Sequence, residues 1–310
     1  MDHRSSAIGR TDDHDPRAPR VSKGRNSTFE FSIVVATRNR AHRLARCLDA
    51  IEGIAFPRAF EVLIVDNGSN DATPELIARF AGGSRHRAWH LHEPRRGASR
   101  ALNLALRHAG GEYLLFTDDD CYPDPDILVA LAAAFADRRV GFVAGRVRLF
   151  DPDDIPLAVR DTPDRESFRP GAFIRPGDVH GANLAFRRRA LLEIGGFDVS
   201  FGPGALYSGA DVEACARASA AGWLGVYDPR PLVLHHHGRK PPELRAQRDR
   251  YNFGAGAYLA KTLVRTPGAV RHVPRALHHI AAASRQQGTM RIIAGFADFL
   301  YRSVSGRLER

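Results

Sequence analysis

The chain of 310 residues is 44% hydrophobic and 26% charged, which supplies a core for one large or two small domains and excludes a disordered chain. Its three cysteines, Cys47, Cys121 and Cys215, are odd in number and form no CxxC pair, so a disulfide framework and a structural zinc site are not expected and a reducing cytoplasm fits. The net charge of +10 is uneven: residues 239–310 hold 14 Lys or Arg against 4 Asp or Glu, so the tail carries the whole surplus.

Residues 1–29 mix both charge signs with Ser and Pro and lack hydrophobic periodicity, the pattern of a mobile leader and not of a secretory signal. No stretch approaches the ~18 apolar residues of a membrane-spanning helix. Apolar runs predict strands near 31–36, 61–66 and 88–92 and another ending at Thr117. Helical periods separate them near 40–52, after Thr73 and over 98–109. A helix over 126–137, a strand over 140–150 and a Pro-rich loop from Asp151 to Pro176 come next. Residues 180–198 predict a strand entering a short helix that Gly195 and Gly196 terminate. The loop FGPGALYSG then leads to a helix near 210–221 opened by Asp211, a short strand around Val226, the strand-like PLVLHHHG, and helices over most of 243–304.

This alternation predicts an α/β fold, Rossmann-like, with a mainly parallel central sheet flanked by helices over residues 30–238 and a basic helical region over 239–310. Such sheets bind ligands beyond the carboxyl ends of their strands. Thr37, Arg38, Asp66, Asp118, Asp119 and Asp120 all fall there.

The run EYLLFTDDDCYPDPD is the most informative of these ends, because three carboxylates leave an apolar strand together and like charges so close call for a cation. Alternate residues of an extended segment project to one side, which aims Asp118 and Asp120 at a single hard ion. The simpler alternative is a solvated acidic turn helped by Pro123 and Pro125. Of the consecutive His235, His236 and His237, only the first and third share a side of a strand.

Five segments in order, SIVVATRNR, EVLIVDNGSND, RRGASRALNLALRHAGGEYLLFTDDD, GANLAFRRRALLEIGGFD and GADVEACARASAAGW followed by the histidines, cover about residues 31–237. In them the chain resembles the inverting nucleotide-sugar glycosyltransferases of family 2, which have the GT-A fold. The resemblance implies a nucleoside-diphosphate sugar donor, with Thr37, Arg38 and Asp66 as base and ribose contacts. Asp66 could equally cap the turn at Asn67-Gly68-Ser69. Arg100 and Asn103, three apart on one helix face, would reach the diphosphate, although Ala-Leu-Asn stands where the family has Ala-Arg-Asn. Asp118 and Asp120 would hold Mn²⁺ or Mg²⁺ across the two phosphates, and Asp119 would orient the sugar. His235 would complete the metal site, as a histidine does in some relatives, while hydrogen bonding to the diphosphate or plain surface exposure is the simpler role for the histidine run. In the segment that shapes the donor-sugar and acceptor pocket, Asn183, close to His180 and Gly181, would bond sugar hydroxyls or pin a loop. Asp211 would be the general base that activates the acceptor hydroxyl. The family has Glu-Asp at this helix start and this chain has Ala210-Asp211, which leaves Glu213 to compensate and helix capping as the alternative role of Asp211.

The resulting expectation is a metal-dependent inverting glycosyltransferase in cell-envelope glycan or glycolipid synthesis, acting on a glycan or lipid-linked acceptor. It would be cytoplasmic; the amphipathic run in the basic C-terminal region would pack its apolar face on the catalytic domain, leaving the outer basic face for peripheral contact with the inner face of the membrane. No nucleic acid is expected as a partner, because no aromatics interleave on a sheet face. A nucleotidyltransferase would need a glycine-rich loop and a lysine after the first strand, and ATRNRAHR has neither. A degenerate, non-catalytic sugar-nucleotide or nucleic-acid binding protein is the alternative that Ala210 keeps open.

Overall fold

The computed structural model describes residues 29–266, 268–275, 278 and 288–308. The leader expected over residues 1–29 lies outside them except for its last residue. Three βα steps and a fourth strand open the fold: β1 (Phe31–Thr37), α1 (Ala41–Glu52), β2 (Phe60–Asp66), α2 (Thr73–Gly83), β3 (Arg87–His92), α3 (Ala98–His108) and β4 (Tyr113–Asp118). After them come β5 (Cys121–Pro123), α4 (Ile127–Ala134), β6 (Val140–Leu149), β7 (Glu166–Phe168), β8 (Leu184–Arg187), α5 (Arg188–Glu193), α6 (Ala210–Ala220), β9 (Leu224–His235), α7 (Leu244–Arg265) and α8 (Thr289–Val304).

The nine strands form one sheet in the order β3-β2-β1-β4-β8-β6-β9-β5, with β7 paired to β9. The β1–β4 half and the β6–β9 pair are parallel, while β8, β5 and β7 run antiparallel to their neighbours. Alternating strand residues feed two cores: Val34 and Phe116 pack with the α3, α6, α7 and α8 side, and Ile33, Val35 and Leu115 with the α1 and α4 side. Each such side chain is worth about 1.5–3 kcal/mol on burial, enough to fix the strand register, since a one-residue slip would expose a whole row.

Register positions the site. Thr37 pairs with Asp66 and Ala36 with Asp118, so three strands end at one level. The antiparallel β5 sets Cys121 opposite His235, and the His236 amide donates to the Asp120 carbonyl at 2.8 Å. The histidine run is thereby tied to the acidic run more than 100 residues earlier.

Several boundaries differ from the sequence expectation. The acidic run does not end in a solvated turn but goes directly into β5, whose three residues are all buried. The 151–176 segment is not wholly a loop, because Glu166–Phe168 pairs with β9. The two strands expected around Val226 and His235 are one, β9, whose register shifts by a bulge opposite Gly145/Arg146. The 126–137 helix stops at Ala134. The C-terminal helices share a core with the sheet, where Tyr258, Ile292 and Phe299 lie among Phe201 and Tyr207. α7 and α8 approach closely at glycines: a Cβ on Gly256 would collide with the Ile292 backbone, and one on Gly295 with that of Phe253.

Candidate active site

At the carboxyl end of β4, donor atoms of Asp118, Asp120, Cys121 and His235 lie within 4.8 Å of one another. His235 Nε2 is 3.4 Å from Asp120 Oδ1, and both side chains are almost fully buried. His235 Nδ1 is buried without a hydrogen-bond partner. Asp118 keeps solvent-exposed surface, and its carboxylate makes no hydrogen bond or ion pair among the described residues. The protein walls beside it, with the Asp120 charge added, raise the Asp118 carboxyl above its usual range. Burial acts upward on Asp120 too, but His235 and Arg40 outweigh it and hold that carboxyl well below its usual range. Burial alone would lower His235; Asp120, followed by Asp118, raises it above the ordinary imidazole value.

Two carboxylates and an imidazole at this spacing fit a hard divalent ion, whose ligands lie about 2.0–2.6 Å from it. Cys121 is the least suited of the four, because a soft sulfur donor matches a hard ion poorly and burial with the neighbouring carboxylates raises its thiol well above the usual value.

The charge next to this cluster comes from a residue that the sequence reading passed over. Arg40 reaches Asp119 Oδ1 at 2.9 Å and Asp120 Oδ2 at 2.8 Å, bridging the two. The other oxygen of Asp119 accepts from the Thr37 hydroxyl at 2.6 Å. Burial raises the Asp119 carboxyl to about 7, against the partial relief of Arg40 and Thr37. The signal for Arg40 was its place two residues after Arg38 in ATRNR, but only the pairing of β1 with β4 brings it to residue 120.

Opposite the acidic cluster, Gly209 at φ +94° turns the chain into α6 and places Asp211 in its first turn. Asp211 Oδ2 accepts from the Gly181 amide at 2.9 Å and Oδ1 from the Val212 amide at 2.9 Å. The Ala182 carbonyl, next to the Gly181 amide that Asp211 holds, accepts from the Thr117 hydroxyl at 2.8 Å, which brings the base candidate close to the strand end that carries Asp118. His180 itself is lowered by burial, with Asp211 opposing. Glu213 does not compensate for Ala210: it is buried and pairs with Arg217 at 2.6 Å and with Lys261.

Residues 32–195 match the family described as Glycosyl transferase family 2. The chain belongs to that family. This glycosyltransferase is 28% identical over 216 residues to glycosyltransferase AglE of Haloferax volcanii, covering 66% of this chain and 69% of that one. It is 28% identical over 265 residues to the pre-mycofactocin glycosyltransferase of Mycobacterium tuberculosis, which covers 83% of this chain but only 50% of the relative. Among solved structures it superposes on the mannosyltransferase PcManGT from Pyrobaculum calidifontis, in complex with GDP-Man and Mn²⁺, with TM-score 0.63 and 24% identity over 88% of this chain and 87% of that one. Staphylococcus aureus TarS 1–349 in complex with UDP-GlcNAc gives TM-score 0.59 and 17% identity over 89% and 73%. Both structures share the GT-A fold with this glycosyltransferase.

The remaining expected site residues of the glycosyltransferase divide into two groups. Arg38 donates to the Asn67 carbonyl at 2.6 Å, and Asn39 and Ser69 bond across the same gap, zipping together the loops after β1 and β2. Asp66 caps its turn, accepting from the Ser69 amide at 2.9 Å, while Oδ2 meets the exposed His92 Nδ1 at 3.1 Å. Arg100, half-buried on α3, folds over Gly97, where its charge reaches Glu93.

Four of the expected residues are hydrogen-bonded within the protein. Thr37 and Asp119 turn inward onto each other. Asn103 spends both ends of its amide on Phe197, donating to the carbonyl and accepting from the amide at 2.8 Å each. Asn183 is buried and donates to the Arg146 and Pro231 carbonyls at 2.9 and 3.1 Å, pinning β6 to the β9 bulge. His236 lies 3.0 Å from the Tyr122 hydroxyl, and His237 bonds the Ile155 carbonyl at 3.0 Å beside the buried Asp154.

Proposed function

We propose that the glycosyltransferase is metal-dependent and inverting, transferring a sugar from a nucleoside-diphosphate sugar to an acceptor hydroxyl by direct displacement. The observation that carries this reading is the convergence of Asp118, Asp120 and His235 within 4.8 Å, with Asp211 tied to the neighbouring Gly181–Ala182 segment. Asp118, Asp120 and His235 would hold Mn²⁺ or Mg²⁺, which when bound offsets charge developing on the departing diphosphate. The ion found with GDP-Man in PcManGT agrees with this choice.

The chain's own residues do the rest. Asp211 takes the proton of the acceptor hydroxyl during attack, and the Gly181 and Val212 amides hold its carboxylate in place. The zipped loops around Arg38 and Asp66 form an edge for the nucleoside, with the exposed His92 as its outer wall. Arg40 fixes Asp120 so that one carboxylate edge stays turned toward His235.

The acceptor is a cell-envelope glycan or a lipid-linked sugar, and the protein works in the cytoplasm with peripheral contact to the membrane. No helix among the described residues is long and apolar enough to cross a membrane. The outer face of α8 supports surface contact: Met290, Ile293, Tyr301 and Val304 are exposed at helical spacing, with Arg291 and Arg302 beside them.

Turnover of UDP- and GDP-sugars with Mn²⁺ should vanish with a chelator and return on adding the ion back. Asp120→Asn should be folded and inactive. Full turnover in the chelator, or in that variant, would remove the metal from the reaction.

A further inference from the structure

The other pole of the sheet holds a second basin. A cavity of about 1180 Å³ opens where β4 and β6 begin and β8 ends. It lies five β4 residues from Asp118, about 17 Å away at strand rise, so it is separate from the catalytic cleft. Gly110 and Gly111 form part of its wall without side chains, and Arg138, Arg188, Arg189 and Trp223 surround it.

Four arginines and two glutamates line this cavity, and the pairing among them is lopsided. Arg187 is fully used: it donates to the Val140 and Phe135 carbonyls at 3.1 Å each and pairs with Glu112 at 2.6 Å. The other acid, Glu193, accepts from the Trp223 indole N–H at 3.3 Å. The side chains of Arg138, Arg188 and Arg189 make no hydrogen bond or ion pair among the described residues. Arg188 Nε is buried and without a partner, which a folded protein normally avoids. Three unpaired guanidinium groups round one hollow make it attractive to anions, and their forked N–H groups match phosphate oxygens. Trp223, half-buried against Gly141, and the exposed Leu192 add an apolar wall.

We propose that this cavity binds a small phosphate-bearing molecule, held by Arg138, Arg188 and Arg189 with its ring or carbon face against Trp223. The ligand is a polyphosphate or a nucleoside diphosphate; both share the phosphate chemistry that the arginines recognise. The inference does not depend on the catalytic reading, and its test involves neither metal nor turnover.

Trp89 and Trp223 are the two tryptophans of the chain, so Trp89→Phe isolates the fluorescence of Trp223. Titration with inorganic pyrophosphate in a chelator should give a saturable change that weakens with salt. Arg188→Gln and Arg189→Glu should each weaken it by about ten-fold or more. A deeper change with UDP than with pyrophosphate would identify a nucleotide whose base stacks on the indole, and equal changes would identify phosphate alone; either supports the site. If Trp89→Phe does not fold, calorimetry of the unmodified protein against Arg189→Glu, a change at an exposed position, gives the same comparison. Absence of saturable binding, or binding that both arginine variants retain, overturns the proposal.

Discussion

Arg40 Nη2 lies 2.8 Å from Asp120 Oδ2, so a positive charge on the acidic strand end comes from the polypeptide itself. Asp119 and Asp120 are buried, and removing their shared guanidinium leaves Asp119 with only the Thr37 hydroxyl and Asp120 with only His235. Arg40→Gln should therefore cost stability, by about 1–3 kcal/mol given that the arginine is partly exposed. Mn²⁺ should recover part of that loss, because an ion bound only to the folded state stabilises it. Denaturant melts with and without Mn²⁺ measure both effects; an unchanged midpoint in the chelator would show that Arg40 is not the counter-charge.

Asp211 is fixed by two backbone amides, so its replacement by Asn keeps volume and part of the hydrogen bonding while removing the base. Asp211→Asn should lower kcat by about 10²–10⁴-fold with donor affinity almost unchanged. Calorimetry of donor binding beside steady-state rates checks the split. A rise in KM for donor without a fall in kcat would assign Asp211 to binding.

Behind α6, Lys261 of α7 joins Asp198 and Glu213, tying the Phe197–Asp198 loop to the helix that carries Asp211. Burial acts to raise the Asp198 carboxyl, but Lys261 outweighs it and the net shift is downward. A depressed carboxylate contributes fully above its unfolded value near ~3.9 and loses that contribution as pH falls through its folded value. Asp198→Asn should thus be less stable than the parent at pH 6, and the gap should narrow below pH ~4. Denaturant melts across that range would reject the brace if the gap stayed constant.

On α8, Met290 is 74% exposed, Ile293 50%, Tyr301 59% and Val304 91%, a stripe with no cover among the described residues. If this face meets lipid, Ile293→Glu together with Val304→Glu should abolish flotation with anionic vesicles and leave turnover of a soluble acceptor intact. Retained flotation in the double variant would place membrane contact elsewhere.

Much of the fold was legible along the chain. The runs FSIVVAT, EVLIVD and YLLFTD are apolar because both faces of a central strand are buried, and that local pattern announced β1, β2 and β4 within a residue or two. The acidic run and Asp211 were legible as well, since charged residues at strand and helix ends stand out against an apolar background. Short edge elements such as β5 and β7, of three residues each, carry no period long enough to detect.

What the sequence determined by itself was the alternation of elements, the surplus of charge in the tail and the identity of the acidic cluster, all properties of neighbouring residues. Tertiary structure decided which polar side chains are free to meet a ligand. Thr37, Asp119, Asn103 and Asn183 looked equally available in the string, yet folding commits each to a partner 37 to 94 residues away. The same long-range pairing delivered Arg40 and His235 to the acidic cluster. Hydrogen bonds and ion pairs in a buried site are satisfied across the sheet, and a linear pattern contains no register between strands.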